Sequence, residues 1–248
     1  MVGGGILHLT GSISGASSNS LSLIGSGTVS IEGNNTFAGP INATVGILAG
    51  NGIIRGPVTK TNGRLNPGTP AAIGTLTISN SLTLVGSFLK TTFRLNKDGG
   101  PTHDKIVGLT TLTCGGSLIV TNIGVAEPVA GDSFQLFSAA SIVGSFTSVT
   151  LPSLTDTNLS WNTNNLYTTG TIAVVGTSGS GTITNSYSGG VLSLSWPAGQ
   201  GWRLQAQTNS LSTGLGTNWV YVTDGSVSST NIPVNPANPT VFFRLKYP

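Results

Sequence analysis

Charged residues are scarce in this chain: Asp, Glu, Lys and Arg make up 7% of its 248 residues. Low charge is common in membrane-spanning proteins, yet no apolar run approaches the roughly 18 residues that a transmembrane helix needs. Disordered chains combine low hydrophobicity with high net charge, whereas this chain has a mean hydropathy of +0.23 and a net charge of +3. The sequence therefore predicts a folded protein without a transmembrane segment.

Basic residues are also few. The ten lysines and arginines are spread thinly along the chain, whereas nucleic-acid binding needs a clustered basic face with many phosphate contacts. We therefore expect no nucleic-acid partner.

Cysteine occurs once, as Cys114, so no intramolecular disulfide can form. One cysteine and the two widely spaced histidines, His8 and His103, also lack the spacing of a zinc site. Calcium-binding nonapeptides, phosphate-binding loops and nucleophile elbows are absent from the sequence. We therefore expect neither a metal nor a cofactor.

The amino terminus has no signal peptide. Met1-Val2 lead directly through three glycines into Ile6-Leu7-His8-Leu9, which already alternates like a strand. We interpret this start as a cut inside a longer repeat region, so the missing signal says little about the native compartment.

Short alternating runs broken by Gly or Asn fill the sequence from Ile6 to about Val175. The runs are too short for helices and have a period of two, as expected of strands joined by tight corners. Examples are Leu21-Ser22-Leu23-Ile24, Thr28-Val29-Ser30-Ile31, Leu76-Thr77-Ile78 and Leu82-Thr83-Leu84.

An internal repeat relates residues 81–89 to residues 111–119. The alignment places Leu82 on Leu112, Thr83 on Thr113, Gly86 on Gly116 and Ser87 on Ser117. The two segments are offset by 30 residues, which is more than one coil of a typical solenoid contains. We therefore expect an extra hairpin between them. Its outgoing strand would be 93–95, its loop 96–104 and its returning strand 105–107, and Gly and Pro in the loop favour a turn.

Several segments resemble the autotransporter-associated β-strand repeat. They are Gly33-Asn34-Asn35-Thr36-Phe37-Ala38-Gly39, Leu48-Ala49-Gly50-Asn51-Gly52-Ile53-Ile54, Arg64-Leu65-Asn66-Pro67-Gly68 with Ile73-Gly74-Thr75-Leu76, Asp104-Lys105-Ile106-Val107, and Ala130-Gly131-Asp132-Ser133-Phe134 with Gly144-Ser145-Phe146. The resemblance covers roughly residues 20–175. It implies a right-handed parallel β-helix, or β-solenoid, in a large exported bacterial protein, secreted or at the cell surface.

A change in composition after Val175 indicates a second domain. Residues 176–181 are Gly-, Ser- and Thr-rich and read as a linker. Aromatic-centred strands follow, separated by Pro and Asn turns, at residues 191–196, 202–206, 219–222 and 241–245. They predict a small β-sandwich over 182–248 of immunoglobulin-like or fibronectin-like type. Its Leu-Ser-Trp-Pro, Gly-Trp-Arg-Leu-Gln and Phe-Phe-Arg-Leu segments resemble C-terminal modules of exported proteins from Verrucomicrobia-like bacteria. The prediction is an all-β chain with a solenoid over 1–175 and a sandwich over 182–248.

The densest charged stretch runs from Arg94 to Lys105 and includes Asp98, His103 and Asp104. Two carboxylates near a histidine could share a proton in a lyase-like or hydrolytic site. The competing interpretation, which we favour, is an exposed hairpin tip that collects charge. Asp104 also matches a strand-opening position of the repeat family, which implies a structural role.

Other candidate side chains have structural explanations as well. Cys114 aligns with a leucine of the earlier repeat and is expected to be a small buried hydrophobe, and His8 is expected on a strand face. Six aromatic side chains could stack on sugar rings, although core packing competes with that role, especially in the sandwich. They are Trp161, Tyr167, Trp196, Trp202, Trp219 and Tyr221, and we single out Trp161, Tyr167, Trp202 and Trp219 among them.

Two classes of function remain. The first is a non-catalytic structural or adhesive module, because solenoids supply length and a long display face. The second is a carbohydrate-active protein, either a polysaccharide-binding module or a β-helix enzyme. The expected partner is an extracellular polysaccharide or another surface protein.

Overall fold

The structure is a computed structural model that describes residues 4–44, 46–99, 102–176, 181–198, 201–238 and 240–246. Within these ranges all regular secondary-structure elements are β-strands, which confirms the predicted all-β architecture. Accordingly, the described residues contain no helix with the length and apolar character of a membrane span.

A seven-stranded parallel sheet forms one side of the larger core, with strands numbered in chain order. Its order is β1 (Ile6–Leu9), β3 (Thr28–Ile31), β5 (Ile47–Gly50), β8 (Arg64–Pro67), β11 (Lys90–Leu95), β13 (Ser117–Asn122) and β16 (Ser148–Thr150). The register aligns Val29 with Leu48 and Leu48 with Leu65, so apolar residues stack from one strand to the next. Side chains of a strand point alternately to its two faces, so this register directs each apolar column into the core.

A second parallel sheet has β12 as its longest strand. Its order is β2 (Leu21–Leu23), β4 (Ile41–Ala43), β7 (Val58–Lys60), β10 (Leu82–Leu84), β12 (Lys105–Cys114), β9 (Thr75–Ile78) and β6 (Ile53–Ile54), and β15 (Phe137–Gly144) also pairs with β12. The first half of β12 pairs with β9 and its second half with β10. One long strand therefore continues two columns of shorter strands.

Three smaller sheets have three strands each. They are β14 (Ser133–Gln135), β18 (Thr171–Gly176) and β17 (Leu159–Asn162); β19 (Thr184–Ser188), β20 (Val191–Ser195) and β23 (Ser229–Pro233); and β22 (Val220–Tyr221), β21 (Arg203–Thr208) and β24 (Val241–Lys246). The last two sheets are antiparallel. The sequence pattern predicted β20, β21, β22 and β24 and missed β19 and β23, whose residues are mostly polar and exposed.

The chain divides into two compact units. The first holds Met1–Pro128, Ser133–Thr155 and Trp161–Ala173, and the second holds Val129–Asp132, Asp156–Ser160 and Val174–Pro248. The first unit encloses a long apolar core of stacked Leu, Ile and Phe side chains. The second unit has a small core around Leu194, Trp196 and Leu204. The predicted linker at 176–181 falls largely on residues 177–180, which lie outside the described residues.

The internal repeat is confirmed at its centre and fails at its end. Leu82 pairs with Leu112 and Thr83 with Thr113, as the alignment predicted. Ser117, however, pairs with Lys90 rather than with Ser87. The alignment was wrong here because three extra residues separate β10 from β11, and sequence similarity cannot detect an insertion inside a Gly-rich corner.

The extra hairpin predicted at 93–107 is much shorter than expected. An antiparallel bridge joins Leu95 to His103, and the flanking backbone bonds join residues 94 and 96 to 104 and 102. Residues 105–107 do not return along β11, because they begin β12 and pair in parallel with β9. Residues 105–107 are therefore a strand, as predicted, but the predicted pairing with the outgoing strand was wrong.

Candidate functional site

The Asp104 carboxylate is buried between the end of β11 and the start of β12, with 0% of the residue exposed. Its Oδ2 accepts hydrogen bonds from the Arg94 backbone N at 2.9 Å and from Arg94 Nε at 2.8 Å. Its Oδ1 accepts from Gly74 N at 2.9 Å and from Arg94 Nη2 at 3.1 Å. Four donors fill the roughly four acceptor positions of a carboxylate. Asp104 is therefore saturated by structural bonds and has no free lone pair for a substrate proton.

The Arg94 guanidinium extends this link to the segment between β8 and β9. Its Nη2 donates to the carbonyl oxygens of Ala72 at 2.7 Å and Pro67 at 3.3 Å. Gly68, with φ of +81°, leaves the necessary room, since a Cβ there would lie 2.5 Å from Arg94 Nη2 and 2.6 Å from Asp104 Oδ1. Burial raises the pKa of Asp104, and hydrogen bonds from Arg94 and Gly74 oppose the rise. The ion pair fastens a long loop to two strands.

His103 is buried, with 6% of the residue exposed. Its Nε2 lies 3.1 Å from the Gln135 carbonyl oxygen and must donate to it, while its Nδ1 lies 2.9 Å from Thr102 Oγ1. The ring packs edge-on against Phe134 at 5.4 Å. Burial lowers the pKa of His103, which favours the neutral ring. Both ring nitrogens are engaged, and neither is bonded to a carboxylate.

Asp98 is exposed but also engaged in loop structure. Its two carboxylate oxygens accept hydrogen bonds from the backbone N of Val125 at 2.6 Å and of Ala126 at 2.7 Å. These bonds hold the pKa of Asp98 below its usual value. Asp98 thus joins the 96–99 loop to the loop after β13.

The prediction of an exposed hairpin tip is therefore right for Asp98 and wrong for His103 and Asp104. Asp98, His103 and Asp104 bond to three different parts of the first unit and do not form one constellation. Sequence reasoning missed Arg94 as the partner of Asp104, although the short spacing of the two residues was a usable signal.

Two further titratable groups are buried in the first unit. Cys114, 7% exposed, is buried as predicted, and burial raises the pKa of its thiol to about 11. Lys60, 0% exposed, stands in register between Ala43 and Leu84. Its Nζ donates to the carbonyl oxygens of Gly46, at 3.3 Å, and Asn62. Burial lowers its pKa to about 8, yet a lysine enclosed in this way cannot reach a substrate.

His8 is on an exposed strand face, as predicted, and has an acidic neighbour. Its Nδ1 lies 2.7 Å from Glu32 Oε1, and Ser30 Oγ donates to the same oxygen at 2.6 Å. Hydrogen bonds from Ser30 and then His8 lower the pKa of Glu32. The carboxylate separates the hydroxyl from the imidazole, so the histidine cannot deprotonate the serine as nucleophilic catalysis requires.

Trp161 and Tyr167, two of the predicted sugar-stacking residues, pack against the core of the first unit. Trp161 Nε1 donates to the Pro152 carbonyl oxygen at 2.8 Å, and its ring lies 6.0 Å from that of Phe134. Tyr167 Oη accepts from Phe146 N at 3.3 Å. These contacts favour the packing interpretation for both residues.

Trp202 and Trp219 differ from each other. Trp202 packs against the small core of the second unit. Trp219 lies outside that core: its Nε1 donates to the Gly216 carbonyl oxygen at 3.0 Å, and Arg244 Cζ lies 4.1 Å from its ring centroid. Trp219 is therefore on a sheet surface with a basic neighbour, and Tyr221, another candidate from the sequence, lies on the same surface.

The outer surface of the β22–β21–β24 sheet carries basic and aromatic side chains, which we call the Arg203–Lys246 face. Leu204 and Leu245 pair across the sheet and pack in the core, so alternation directs their neighbours outward. The face comprises Arg203, Arg244, Lys246, Trp219 and Tyr221.

The Tyr221 residue of this face is 48% exposed and has two basic neighbours. Arg203 Cζ lies 5.6 Å and Lys246 Nζ 5.9 Å from its ring centroid, within the range of cation–π attraction. Sequence reasoning missed the grouping because strand pairing, rather than sequence proximity, brings Arg203 beside Lys246.

A groove in the first unit and a cavity in the second unit are two further places where a ligand could bind. A groove of about 260 Å³ on the first sheet is lined by Asn66, Thr92 and Arg94, but that arginine is committed to Asp104. A cavity of about 470 Å³ in the second unit is mostly apolar, with Leu192, Ile232 and Phe243 among its lining residues. Neither lining contains a nucleophile paired with a base.

Within the described ranges, no three His, Cys, Asp or Glu side chains are grouped closely enough to hold a metal ion. Comparison of the chain with protein-family models, curated proteins and solved structures finds no match. Function must therefore be inferred from the residues and their geometry.

Proposed function

We propose that this chain is a non-catalytic structural and adhesive module of a large exported bacterial protein, secreted or held at the cell surface. In this proposal residues 1–175 form a right-handed parallel β-solenoid of autotransporter-associated repeats. Residues 182–248 form a small immunoglobulin-like or fibronectin-like β-sandwich.

The observation that carries the proposal is that the candidate catalytic side chains form structural hydrogen bonds. Asp104, His103 and Asp98, the best catalytic candidates, each bond to the backbone of other segments. An enzyme site instead needs groups aimed at a substrate, with a base, its partner and an accessible reacting position. Here the same groups hold loops and strands together, which suits a structural role.

The stacked parallel strands support the solenoid interpretation. Each strand of the first sheet pairs with the next strand of that sheet along the chain, from β1 to β16. In a solenoid each coil stacks on its neighbours, so length and a continuous face can grow by adding coils. Such a face suits display and adhesion.

Activity assays test the non-catalytic part of the proposal. The intact chain is incubated with a panel of polysaccharides and esters, and bond cleavage is followed by release of reducing ends, unsaturated products and acids. We expect no turnover. Turnover by the wild type would overturn the non-catalytic role. Loss of that turnover in a folded Asp98→Ala variant would assign the activity to Asp98, and its persistence would assign it to another site.

Cell display tests the adhesive part. The chain is displayed on a non-adherent bacterial cell, and retention on polysaccharide-coated and protein-coated surfaces is compared with that of cells displaying the carrier alone. We expect greater retention with the chain. If cells displaying the chain are retained no better than carrier-only cells on every surface, the adhesive role is contradicted.

The alternative function, a carbohydrate-active protein, has two forms. The enzymatic form lacks a described constellation of catalytic groups. The binding form is favoured by the exposed Tyr221 ring and its basic neighbours.

A further inference from the structure

We propose that the Arg203–Lys246 face binds an acidic polysaccharide, a polymer of uronic acids. Its carboxylates would pair with Arg203 and Lys246, and a sugar ring would stack on Tyr221. The inference deepens the proposed adhesive role by naming the partner and the surface that binds it.

The first argument is an electrostatic cost. Arg203 and Lys246 are directly opposite in an antiparallel strand pair, where like charges destabilise a sheet. From residue 182 to the carboxyl end the sequence has three basic residues and one acidic residue, Asp224. All three basic residues lie on this face, so an anionic partner would supply counter-charge that the module itself lacks.

The distribution of carboxylates strengthens this argument. Asp224 accepts bonds from Ser226, which lower its pKa together with a smaller effect of Arg203. No described carboxylate lies within 4 Å of a side-chain nitrogen of Arg203, Arg244 or Lys246. Lys246 and Arg244 are therefore not paired with any described carboxylate.

The second argument is the arrangement of flat rings beside the cations. Tyr221 presents a half-exposed ring on β22, and the Arg203 and Lys246 charges lie 5.6 Å and 5.9 Å from its centroid. A planar ring can cover the apolar face of a sugar while its neighbours bond the sugar's carboxylate. Arg244 is oriented by the Trp219 ring and by its Nε bond to Gln205 Oε1 at 2.8 Å. Its Nη nitrogens have no described partner and can form a two-pronged contact with a carboxylate.

The number of cations argues for a uronic acid polymer over nucleic acid. Nucleic-acid affinity comes chiefly from many phosphate contacts, and this face has three basic side chains. A polymer with an apolar sugar face and a carboxylate on each residue matches one aromatic ring with two cations nearby. The surface therefore fits the sparser charge of a polyuronate.

The test measures binding of the intact chain to immobilised polygalacturonate, with fully methyl-esterified polygalacturonate as the neutral counterpart. We expect wild-type binding to the acid form that weakens as salt rises, and little binding to the ester. The double variant Arg203→Gln/Lys246→Gln should bind at least about tenfold more weakly. Tyr221→Ala, which keeps every charge, should also weaken binding severalfold.

A matched control removes two other cations in register. Arg64 and Lys90 are exposed and adjacent in the first sheet, and neither takes part in the cation–ring contacts of the described residues. Arg64→Gln/Lys90→Gln should change affinity by less than about twofold, since surface charges far from a site contribute little. The Arg203→Gln/Lys246→Gln variant should keep the wild-type circular dichroism spectrum, because the relieved repulsion offsets the lost cation–ring contacts.

Each of these binding results would overturn the proposal: equal loss of binding in the two double variants, equal binding to the methyl ester, equal binding to single-stranded DNA that Tyr221→Ala leaves unchanged, or no binding of the wild type to polygalacturonate. The first and third would indicate general attraction to polyanions. Retention of displayed cells on protein-coated surfaces alone would preserve an adhesive role while refuting this ligand, so the two proposals can fail separately.

Discussion

The buried lysine gives the sharpest prediction for stability. Lys60 is fully enclosed, and burial lowers its pKa from 10.5 to about 8. Each pKa unit is worth about 1.4 kcal/mol, so enclosing the ammonium costs the folded state about 3 kcal/mol below pH 8. Between pH 8 and 10.5 the unfolded chain binds a proton that the folded chain has released. The free energy of unfolding should therefore rise with pH across this window.

The assay compares the wild type with Lys60→Met, a variant of similar length without the charge. Urea unfolding, followed by far-UV circular dichroism, gives the free energy of unfolding at several pH values from 7 to 10.5. Other titrating groups are common to both proteins and cancel in the difference. We expect the wild type to gain up to about 3 kcal/mol relative to Lys60→Met as pH rises.

An exposed lysine supplies the control. Lys90 lies on the surface, so the difference between wild type and Lys90→Met should stay flat within about 0.5 kcal/mol. A flat difference for Lys60→Met as well, or one that falls with pH, would refute the burial of the ammonium group.

Three further predictions concern the first unit. Asp104→Asn should lower the free energy of unfolding by about 3–5 kcal/mol, because it removes the buried carboxylate and leaves the partly buried Arg94 without its counter-charge; an unchanged urea midpoint would contradict a stabilising Arg94–Asp104 ion pair. Cys114 should react slowly with a thiol reagent in the native chain and quickly in urea, because the thiol is buried and its pKa is raised; Cys114→Ser should cost about 1–3 kcal/mol, and fast native labelling would refute burial. Gly50→Ala should lower the melting temperature far more than Gly99→Ala. Both glycines have φ near +135°, yet an added Cβ would meet the Ile31 carbonyl oxygen at 1.9 Å in the first case and no atom within 4 Å in the second; equal losses would contradict this close approach.

The catalytic interpretation of the charged stretch shows how sequence proximity can mislead. Asp98, His103 and Asp104 are close in sequence, and a charged loop ordinarily points into water. Here the loop closes tightly, and β12 begins at Lys105 inside the second sheet. Asp104 therefore lies buried between strands, and hydrogen bonds donated by Arg94 and Gly74 offset the cost of burying its carboxylate. No count of charges along the chain reveals that burial.

The aromatic residues illustrate the same limit. Trp202 and Trp219 both belong to alternating strand-like runs, so the sequence assigns them equal weight as core or ligand-binding residues. Packing separates them, with Trp202 against the small core and Trp219 against Arg244. Antiparallel pairing then places Arg203 beside Lys246 and creates a basic face.

The sequence by itself determined the all-β architecture, the positions of many short strands and the pairing of Leu82 with Leu112. These features depend on the period-two alternation of apolar residues and on turn-forming glycines, which are local properties of the chain. Tertiary structure alone decided the burial of Asp104, the length of the hairpin at 95–103 and the composition of the Arg203–Lys246 face. Each of these depends on which distant strands become neighbours, and burial and charge clustering arise from those neighbours.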